Sequence, residues 1–574
     1  MRIKVSDYIV HFLVEKGISH VFGYPGGSVT NLMDSIHKRE KDISAHVVYH
    51  EQAAAFAACA YAQTTGRPGV AYATGGPGAT NLITGIGHAF YDSIPVIFLT
   101  GNVNVYEAKD DRRLRQRAFQ ESDIVSVVRP LTKFCAYVKR PEEIRYYLEK
   151  AYAMAMEGRP GPVLLDLPMD VQRAQIDIGE MAAGYTHMPG RLFVEKEQFA
   201  EKLKGLLLAA DAPCFVFGNG VKISHTADLA QKAVESLNIP YVTSMIAFDV
   251  LADHPYYCGF LGAYGMRAAN FVAAKSDLII AIGSRLDIRQ VGAVRENFAK
   301  NAAIVRVDID SGELTYQVHE REYSFCMTAE AALQALISID INKDYAHWLS
   351  VCKQIREALS GYDDRLPNEY IKKISGLVPD NTVITTDVGQ NQVWVAQSFA
   401  LKSGQEVLFS GGMGAMGHAL PAAIGAWYGS GGKRVICICG DGGLQMNIQE
   451  LQFLVREKIP VKIIVINNNA LGMIRHFQEM YFDSCYYQTN PSGGFTSPDF
   501  DKIAEAYGLN HAVINSPEEM ERWNPLLADN EPALIEIRIF EDTYILPKLE
   551  FGKPNQDQWP ELDRQLYQQL LELK

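Results

Sequence analysis

Residues 434–473 read RVICICGDGGLQMNIQELQFLVREKIPVKIIVINNNALGM, and this stretch decides the fold. Residues 435–439 are an unbroken apolar run, the pattern of a strand covered on both faces of a sheet. Gly440-Asp441-Gly442 then predicts a turn. Residues 448–457 space their apolar side chains at helical intervals, and 461–466 form a second buried-strand pattern ending in Asn467-Asn468-Asn469. Strand, turn, helix and strand make a right-handed crossover unit. Asp441 and Asn468 therefore lie just past the carboxyl ends of parallel strands, where open α/β sheets bind ligands. Gly440 and Gly442 beside Asp441, and Gly443 after them, allow close backbone approach. A charged and a neutral oxygen with room for water suit Mg²⁺ holding a diphosphate.

Working outward, the whole chain has 574 residues, enough for about three or four domains. Its 48% hydrophobic content supplies several cores. A net charge of −13 without long basic runs argues against nucleic acid or an anionic membrane as partner. The N-terminus, MRIKVSDYIVHFLVEKG, alternates charged and apolar residues and lacks a signal peptide's apolar core. No run of about 20 apolar residues exists to span a bilayer. Nine cysteines without a CxxC pair read as free thiols, and a cytoplasmic location is expected.

Residues 1–180 read as a first α/β domain. A strand at 18–23 ends in FGYPGG, and a helix follows at 28–37. A strand at 47–49 runs into His50-Glu51-Gln52 and the Ala-rich helix AAAFAACAYAQ, whose small residues favour close packing. Glu51 thus sits at a strand end and a helix start, where the helix dipole favours a carboxylate. ATGGPGATN (73–81) is a Gly-rich loop after a strand at 70–73. After a polar linker near 177–196, residues 190–345 carry the strand patterns APCFVFGNGV, SDLIIAIGSRLD and AIVRVDID. That is a doubly wound layout without a GxGxxG fingerprint. Residues 365–545 form a third domain around the opening stretch, and 546–574 read as a polar tail able to fold over the active site. The fold class is α/β, with three doubly wound parallel-sheet domains.

Asp441 and Asn468 stand 27 positions apart, and GDG followed by NN at this spacing resembles the thiamine-diphosphate-binding motif. FGYPGG, HEQAA, GGPGATNLITGI, DSIPVI, AFQESD and GRPGPVLLDLP resemble, in order, the acetolactate synthase large-subunit family of thiamine-diphosphate-dependent enzymes. The resemblance covers about residues 5–545 and implies three domains: pyrimidine-binding, central FAD-type and diphosphate-binding. It implies that Glu51 engages N1′ of the cofactor's aminopyrimidine, so that the 4′ nitrogen can take the C2 proton, with Phe119 and Gln120 as the active-site pair. Proton transfer of this kind contributes about 10²–10⁴-fold. Pro25, Gly26, Gly389, Gln390, Asn391, Gly440, Gly442, Gly443 and Met473 are the implied thiamine diphosphate contacts, and Met416 props its bent shape. Asp441, Asn468 and the Ala470 carbonyl are the implied Mg²⁺ ligands. GFLGAYGMRAANF (259–271), GSRLDIRQVG (283–292) and VDID (307–310) imply FAD, with Arg285, Arg289 and Asp308 as contacts; Ile288 departs from the family's second Asp.

Gly27, Met169 and Phe477 are the implied substrate pocket. Two of them depart from the amino-acid-biosynthetic members, which carry Lys at the Met169 position and Trp at the Phe477 position. A pocket difference of one or two methylenes is worth only about 1–3 kcal/mol. AKDDRRLRQRAFQE (108–121) places Arg112, Arg113, Arg115 and Arg117 either in a solvated loop or against an anionic acceptor. His418 and His476 read as polar lining rather than acid–base groups.

The reaction implied is decarboxylation of pyruvate and transfer of the two-carbon hydroxyethyl unit to a second carbonyl. With pyruvate as acceptor the product is 2-acetolactate, the entry to branched-chain amino acid biosynthesis. The alternatives are a carboligase with another acceptor, such as a keto sugar of polysaccharide synthesis, or a simple 2-oxo acid decarboxylase. A homodimer or homotetramer is implied, with a regulatory subunit left open as a further partner.

Overall fold

The structure is a computed structural model that describes residues 2–109, 111, 113–186, 196–251 and 253–573. Arg112 and residues 187–195 of the expected linker lie outside the described residues. The chain builds three six-stranded sheets, and the strand pairings described within them run parallel. No helix among the described residues is long and apolar enough to cross a membrane. All nine cysteines are free.

The first sheet contains β1 (His20–Gly23), β2 (Ser44–Val47), β3 (Gly69–Ala73), β4 (Val96–Asn102), β5 (Phe134–Tyr137) and β6 (Val163–Pro168). Its order is β2-β1-β3-β4-β6-β5. Helix α1 (Glu51–Thr65) follows β2, and α2 (Ile83–Tyr91) follows β3. The central sheet contains β7 (Pro213–Phe217), β8 (Tyr241–Thr243), β9 (Tyr257–Phe260), β10 (Leu278–Ile282), β11 (Ala303–Asp308) and β12 (Glu322–Cys326). Its order, β9-β8-β7-β10-β11-β12, is the dinucleotide-fold order despite the missing fingerprint. The third sheet contains β13 (Val383–Thr386), β14 (Glu406–Leu408), β15 (Val435–Gly440), β16 (Lys462–Asn467), β17 (Asn510–Ile514) and β18 (Ala533–Arg538). Its order is β14-β13-β15-β16-β18-β17, and helix α3 (Ala419–Gly429) precedes β15.

The first and third sheets share one winding. Numbered within each domain, both run 2-1-3-4-6-5. The switch point therefore falls between β1 and β3 in one sheet and between β13 and β15 in the other.

By contact the chain divides into two units. One contains residues 1–189, 382–391 and 408–541; the other contains 190–381, 392–407 and 542–574. The first unit has a continuous core running from Phe22 and Ala53–Ala62 to Ala419–Ala426 and the β15–β16 strands. Its centre is the crossing of α1 with α3. A Cβ on Gly425 would lie 1.9 Å from the Ala57 carbonyl oxygen, and one on Gly85 would lie 2.1 Å from Ala55 Cβ. The Ala-rich composition thus packs as closely as expected. Gly425→Ala should cost about 1–3 kcal/mol through overpacking, because backbone rather than a flexible side chain blocks the methyl. A thermal melt checks it, and an unchanged midpoint would contradict this packing.

His46 on β2 adds a pH term in the same unit. Its ring stacks on Tyr428 of α3 at 3.8 Å between centroids, and its Nε2 lies 2.9 Å from His20 Nδ1. Burial, then the His20 and Arg456 charges, push its pKa down to about 3. The unfolded histidine takes a proton near pH 6.5 and the folded one does not, so His46 costs stability as pH falls below about 6.5. In His46→Asn, the stability gap to the parent should shift in the variant's favour by up to about 2 kcal/mol between pH 7 and 5. Urea titrations of both proteins at the two pH values measure this gap, and a constant gap contradicts it.

The second unit has its own core around β7–β12. The last segment is not a loose tail: helix Arg564–Glu572 buries Tyr567 and Leu570 in that core. Arg267 also holds the segment, donating to the Gln558 and Pro560 carbonyls at 3.1 and 2.6 Å. The sequence reading missed this although Leu566, Tyr567, Leu570 and Leu571 recur at helical spacing, because prolines and polar residues dominate the stretch before them.

Candidate functional site

The expected residues gather at the carboxyl edges of the first and third sheets. In the third sheet Gly440 is in register with Ile466, so Asp441 and Asn468 follow adjacent strand ends. Asp441 does not sit in a turn, as the sequence suggested. It is the first residue of helix Asp441–Met446, with Gly440 extended before it. The strand passes directly into the helix, and Gly443 leaves room for Asp387 beside its first turn. A Cβ on Gly443 would be 2.5 Å from Asp387 Oδ1.

Asp441 is 2% exposed, and its Oδ2 is buried with no hydrogen-bond partner. Burial pushes its carboxyl up to about 6, against the pull of the Gly442 N–H and the Ser497 hydroxyl. A buried carboxylate oxygen left without a donor suits a hard divalent cation. Asn468 is also buried; its Oδ1 accepts from Ala470 N at 3.3 Å and its Nδ2 donates to Gln390 Oε1 at 3.0 Å. Asn469 adopts φ 49° in this turn, held by its side chain's bonds to Ser497. A Cβ on Gly472 would be 1.9 Å from Gln390 Oε1, so a larger residue there would displace the Gln390 side chain. The donor set of Asp441, Asn468 and the turn at Ala470 fits Mg²⁺.

Across the switch point, Gly389, Gln390 and Asn391 follow β13. Asn391 spends its amide protons on the Asp387 and Ile438 carbonyls, at 2.9 and 3.2 Å. Met416 lies in the loop before α3, and its Cε is 3.3 Å from where a Gly442 Cβ would stand. Asp387, for which the sequence suggested no role, holds the end of this loop by accepting from Gly417 N and Ala419 N at 3.0 and 2.9 Å. Asp92 holds its start, accepting from Gly411 N and Gly412 N at 3.1 and 2.6 Å. Burial pushes His418 down to about 3, which keeps it neutral and removes it as an acid near pH 7. Met473 and Phe477 lie on helix Gly472–Tyr481, where the Phe477 ring packs on Tyr481 and Phe482.

In the first sheet, Pro25, Gly26 and Gly27 follow β1, and Thr74–Asn81 follow β3. A Cβ on Gly26 would meet Thr74 Cβ at 2.4 Å, while Gly27 has open space. Glu51 is 8% exposed at the first position of α1, and its Oε2 accepts from Asn81 Nδ2 at 2.9 Å. The strand before it ends at Val47, earlier than the sequence suggested, because His50 caps α1 by accepting from Gln52 N at 3.1 Å. Gln120 sits in the left-handed region at φ 63°, its carbonyl against Gly76. Non-glycine residues in that region mark constrained, often functional, positions. Phe119 beside it is 86% exposed. Met169 opens the short helix after β6. The loop before Phe119 folds on itself: Arg113 pairs with Asp111, and Glu121 accepts from the Lys109, Arg117 and Ala118 N–H groups.

The hydrogen bonds that join the two domains do not pass through Glu51 itself. Tyr49 N donates to Glu450 Oε1 at 2.9 Å, and Asn447 Nδ2 donates to Gln52 Oε1 at 3.0 Å. In the second unit, the register Ile282↔Val307 puts Arg285 past the end of β10 and Asp308 at the last position of neighbouring β11. Arg285 pairs with Asp287 at 3.2 Å, and Arg289 stands over the Tyr264 ring. Gln290 Nε2 at this edge is buried without a partner. Two guanidiniums and an open amide suit a phosphorylated ligand.

Three family models match the chain. The thiamine pyrophosphate enzyme N-terminal TPP binding domain covers residues 3–127, the central domain 200–336 and the C-terminal TPP binding domain 387–537. These define a thiamine-pyrophosphate-dependent enzyme. The acetolactate synthase large subunit of Lactococcus lactis is 35% identical, with 95% of this chain and 94% of that one covered. Acetolactate synthase isozyme 2 large subunit of Escherichia coli is 34% identical, with 96% and 98% covered. The probable acetolactate synthase large subunit of Methanocaldococcus jannaschii is 36% identical, with 93% and 92% covered. The chain therefore belongs to the acetolactate synthase large-subunit family, and it is a thiamine-pyrophosphate-dependent carboligase of that type.

Proposed function

We propose that the enzyme decarboxylates pyruvate and joins the remaining two-carbon unit to a second pyruvate, giving 2-acetolactate. Family membership supports the donor half; the observation that carries the site is the buried, unpartnered Asp441 Oδ2 at the switch point of the third sheet. When bound, thiamine diphosphate supplies the electron sink for loss of carbon dioxide. The chain's own residues do the rest. Asp441, Asn468 and the Ala470 carbonyl would hold Mg²⁺, and Met416 would support the bound cofactor. Glu51 holds a proton at the aminopyrimidine nitrogen. Phe119, Gln120, Met169 and Phe477 shape the acceptor pocket. Arg285, Arg289 and Asp308 hold FAD, whose place is structural rather than redox. The smallest active unit is a homodimer, in which Glu51 of one chain serves the Asp441 motif of another.

A second reading keeps the donor and changes the acceptor to another carbonyl compound, such as a keto sugar. Met169 favours it, because a thioether at this strand end offers no charge to a second carboxylate. Purified protein with Mg²⁺, thiamine diphosphate and FAD, fed pyruvate, decides between them. One 2-acetolactate per carbon dioxide at roughly 1 per second or faster supports the first reading. Slow carbon dioxide release with little 2-acetolactate overturns it in favour of the second.

A further inference from the structure

Glu450 is fully buried, an uncommon state for a glutamate. Its Oε1 accepts from Tyr49 N at 2.9 Å, and the His50 N–H, the Gln449 side chain and the Arg456 charge also favour its ionised form. Those favourable contacts oppose the cost of burying the carboxylate, and they come from the backbone before Glu51 and from its own segment. What Glu450 grips is the backbone two residues before Glu51. Two neighbours on the same segment grip the same stretch from either side. Arg456 donates to the Val47 carbonyl at 2.6 Å and to Tyr49 Oη at 3.1 Å, and Asn447 donates to the Gln52 side chain. The segment that begins at Asp441 thus ends by clamping residues 47–52, with Glu51 inside the clamp.

We propose that Glu450 is a positioning residue for Glu51, fixing the backbone from which Glu51 enters α1. The proposal rests on the reading of Glu51 as the proton-holding group. Its physical basis is geometric: a misplacement of about 1 Å in a proton-transferring group can cost on the order of 10²-fold. Shortening Glu450 by one methylene withdraws its oxygen from Tyr49 N–H. Replacing it with glutamine keeps an oxygen in place.

The test measures exchange of the C2 proton of thiamine diphosphate bound to the full chain, by NMR after acid quench. Cofactor affinity by fluorescence and the thermal midpoint are measured beside it. In Glu450→Asp, exchange should slow by about 10-fold or more while cofactor affinity stays within about 3-fold of the parent. Glu450→Gln should restore exchange to within about 3-fold of the parent. Arg456→Ala, whose half-exposed side chain can be removed without opening the core, should slow exchange by about 3-fold, and it decides the matter if Glu450→Asp fails to fold. Parental exchange in Glu450→Asp, or in Arg456→Ala where that variant decides, overturns the proposal. So does a slowing matched by equal losses of affinity and midpoint, which is what a merely structural clamp gives. A parent enzyme that itself does not exchange the C2 proton overturns the functional reading, and the parent measurement alone distinguishes that failure.

Discussion

Glu51→Gln should bind thiamine diphosphate with near-parental affinity and lose about 10²–10⁴-fold in turnover. The amide is isosteric and can still face Asn81, which holds the Glu51 carboxylate at 2.9 Å, so the fold has no reason to change. What it cannot do is hold and return a proton at the aminopyrimidine. Binding and catalysis should therefore separate: a fluorescence titration with the cofactor stays normal while product formation collapses. Normal turnover in this variant would sink the assignment of Glu51.

Asp441→Ala should give the opposite pattern. Loss of an outer-sphere partner at a metal site costs about 10–100-fold in affinity, and a directly ligating carboxylate should cost more. Mg²⁺-dependent retention of thiamine diphosphate should therefore weaken by more than about 100-fold. The fold should survive, because the substitution relieves the burial of one unpartnered carboxylate oxygen while giving up only the contacts to the Gly442 N–H and the Ser497 hydroxyl. Desalting the loaded enzyme and assaying residual cofactor, with and without Mg²⁺, is the direct measurement. Retention that ignores both the substitution and the metal would remove Asp441 from the cation site.

The two predictions differ because Glu51 and Asp441 belong to the two halves of a repeated architecture. Both follow the carboxyl end of a parallel strand and open a helix. Both lie beside a switch point of identical strand order, yet the two sheets share no repeat readable in the residues. The winding is set by which strands pair, and many apolar sequences satisfy the same pairing.

The local chemistry was legible. Apolar runs such as 435–439 and 461–466 have one stable fate in a chain this long, a strand buried on both faces. The glycines around Asp441 and the Ala-rich stretch after Glu51 announce close approach, and the distances at Gly443 and Gly425 show why other residues do not fit. Boundaries were less legible. Asp441 opens a helix where a turn was expected, and β2 stops at Val47 because a cap on His50 competes with the strand.

Sequence by itself therefore determined the three parallel-sheet domains and the strand-end placement of Glu51, Asp441 and Asn468, while the chemistry proposed for these residues came from their resemblance to the thiamine-diphosphate-binding motif. The placement follows from hydrophobic periodicity, which is a property of short segments. Tertiary structure alone decided that Asp92 and Asp387 hold the two ends of the Met416 loop, and that the last helix completes the central core. It alone decided that Glu450 reaches across 401 positions to the backbone before Glu51. A buried polar group is defined by the partner that folding brings to it, and no periodicity in the chain records a partner that far away.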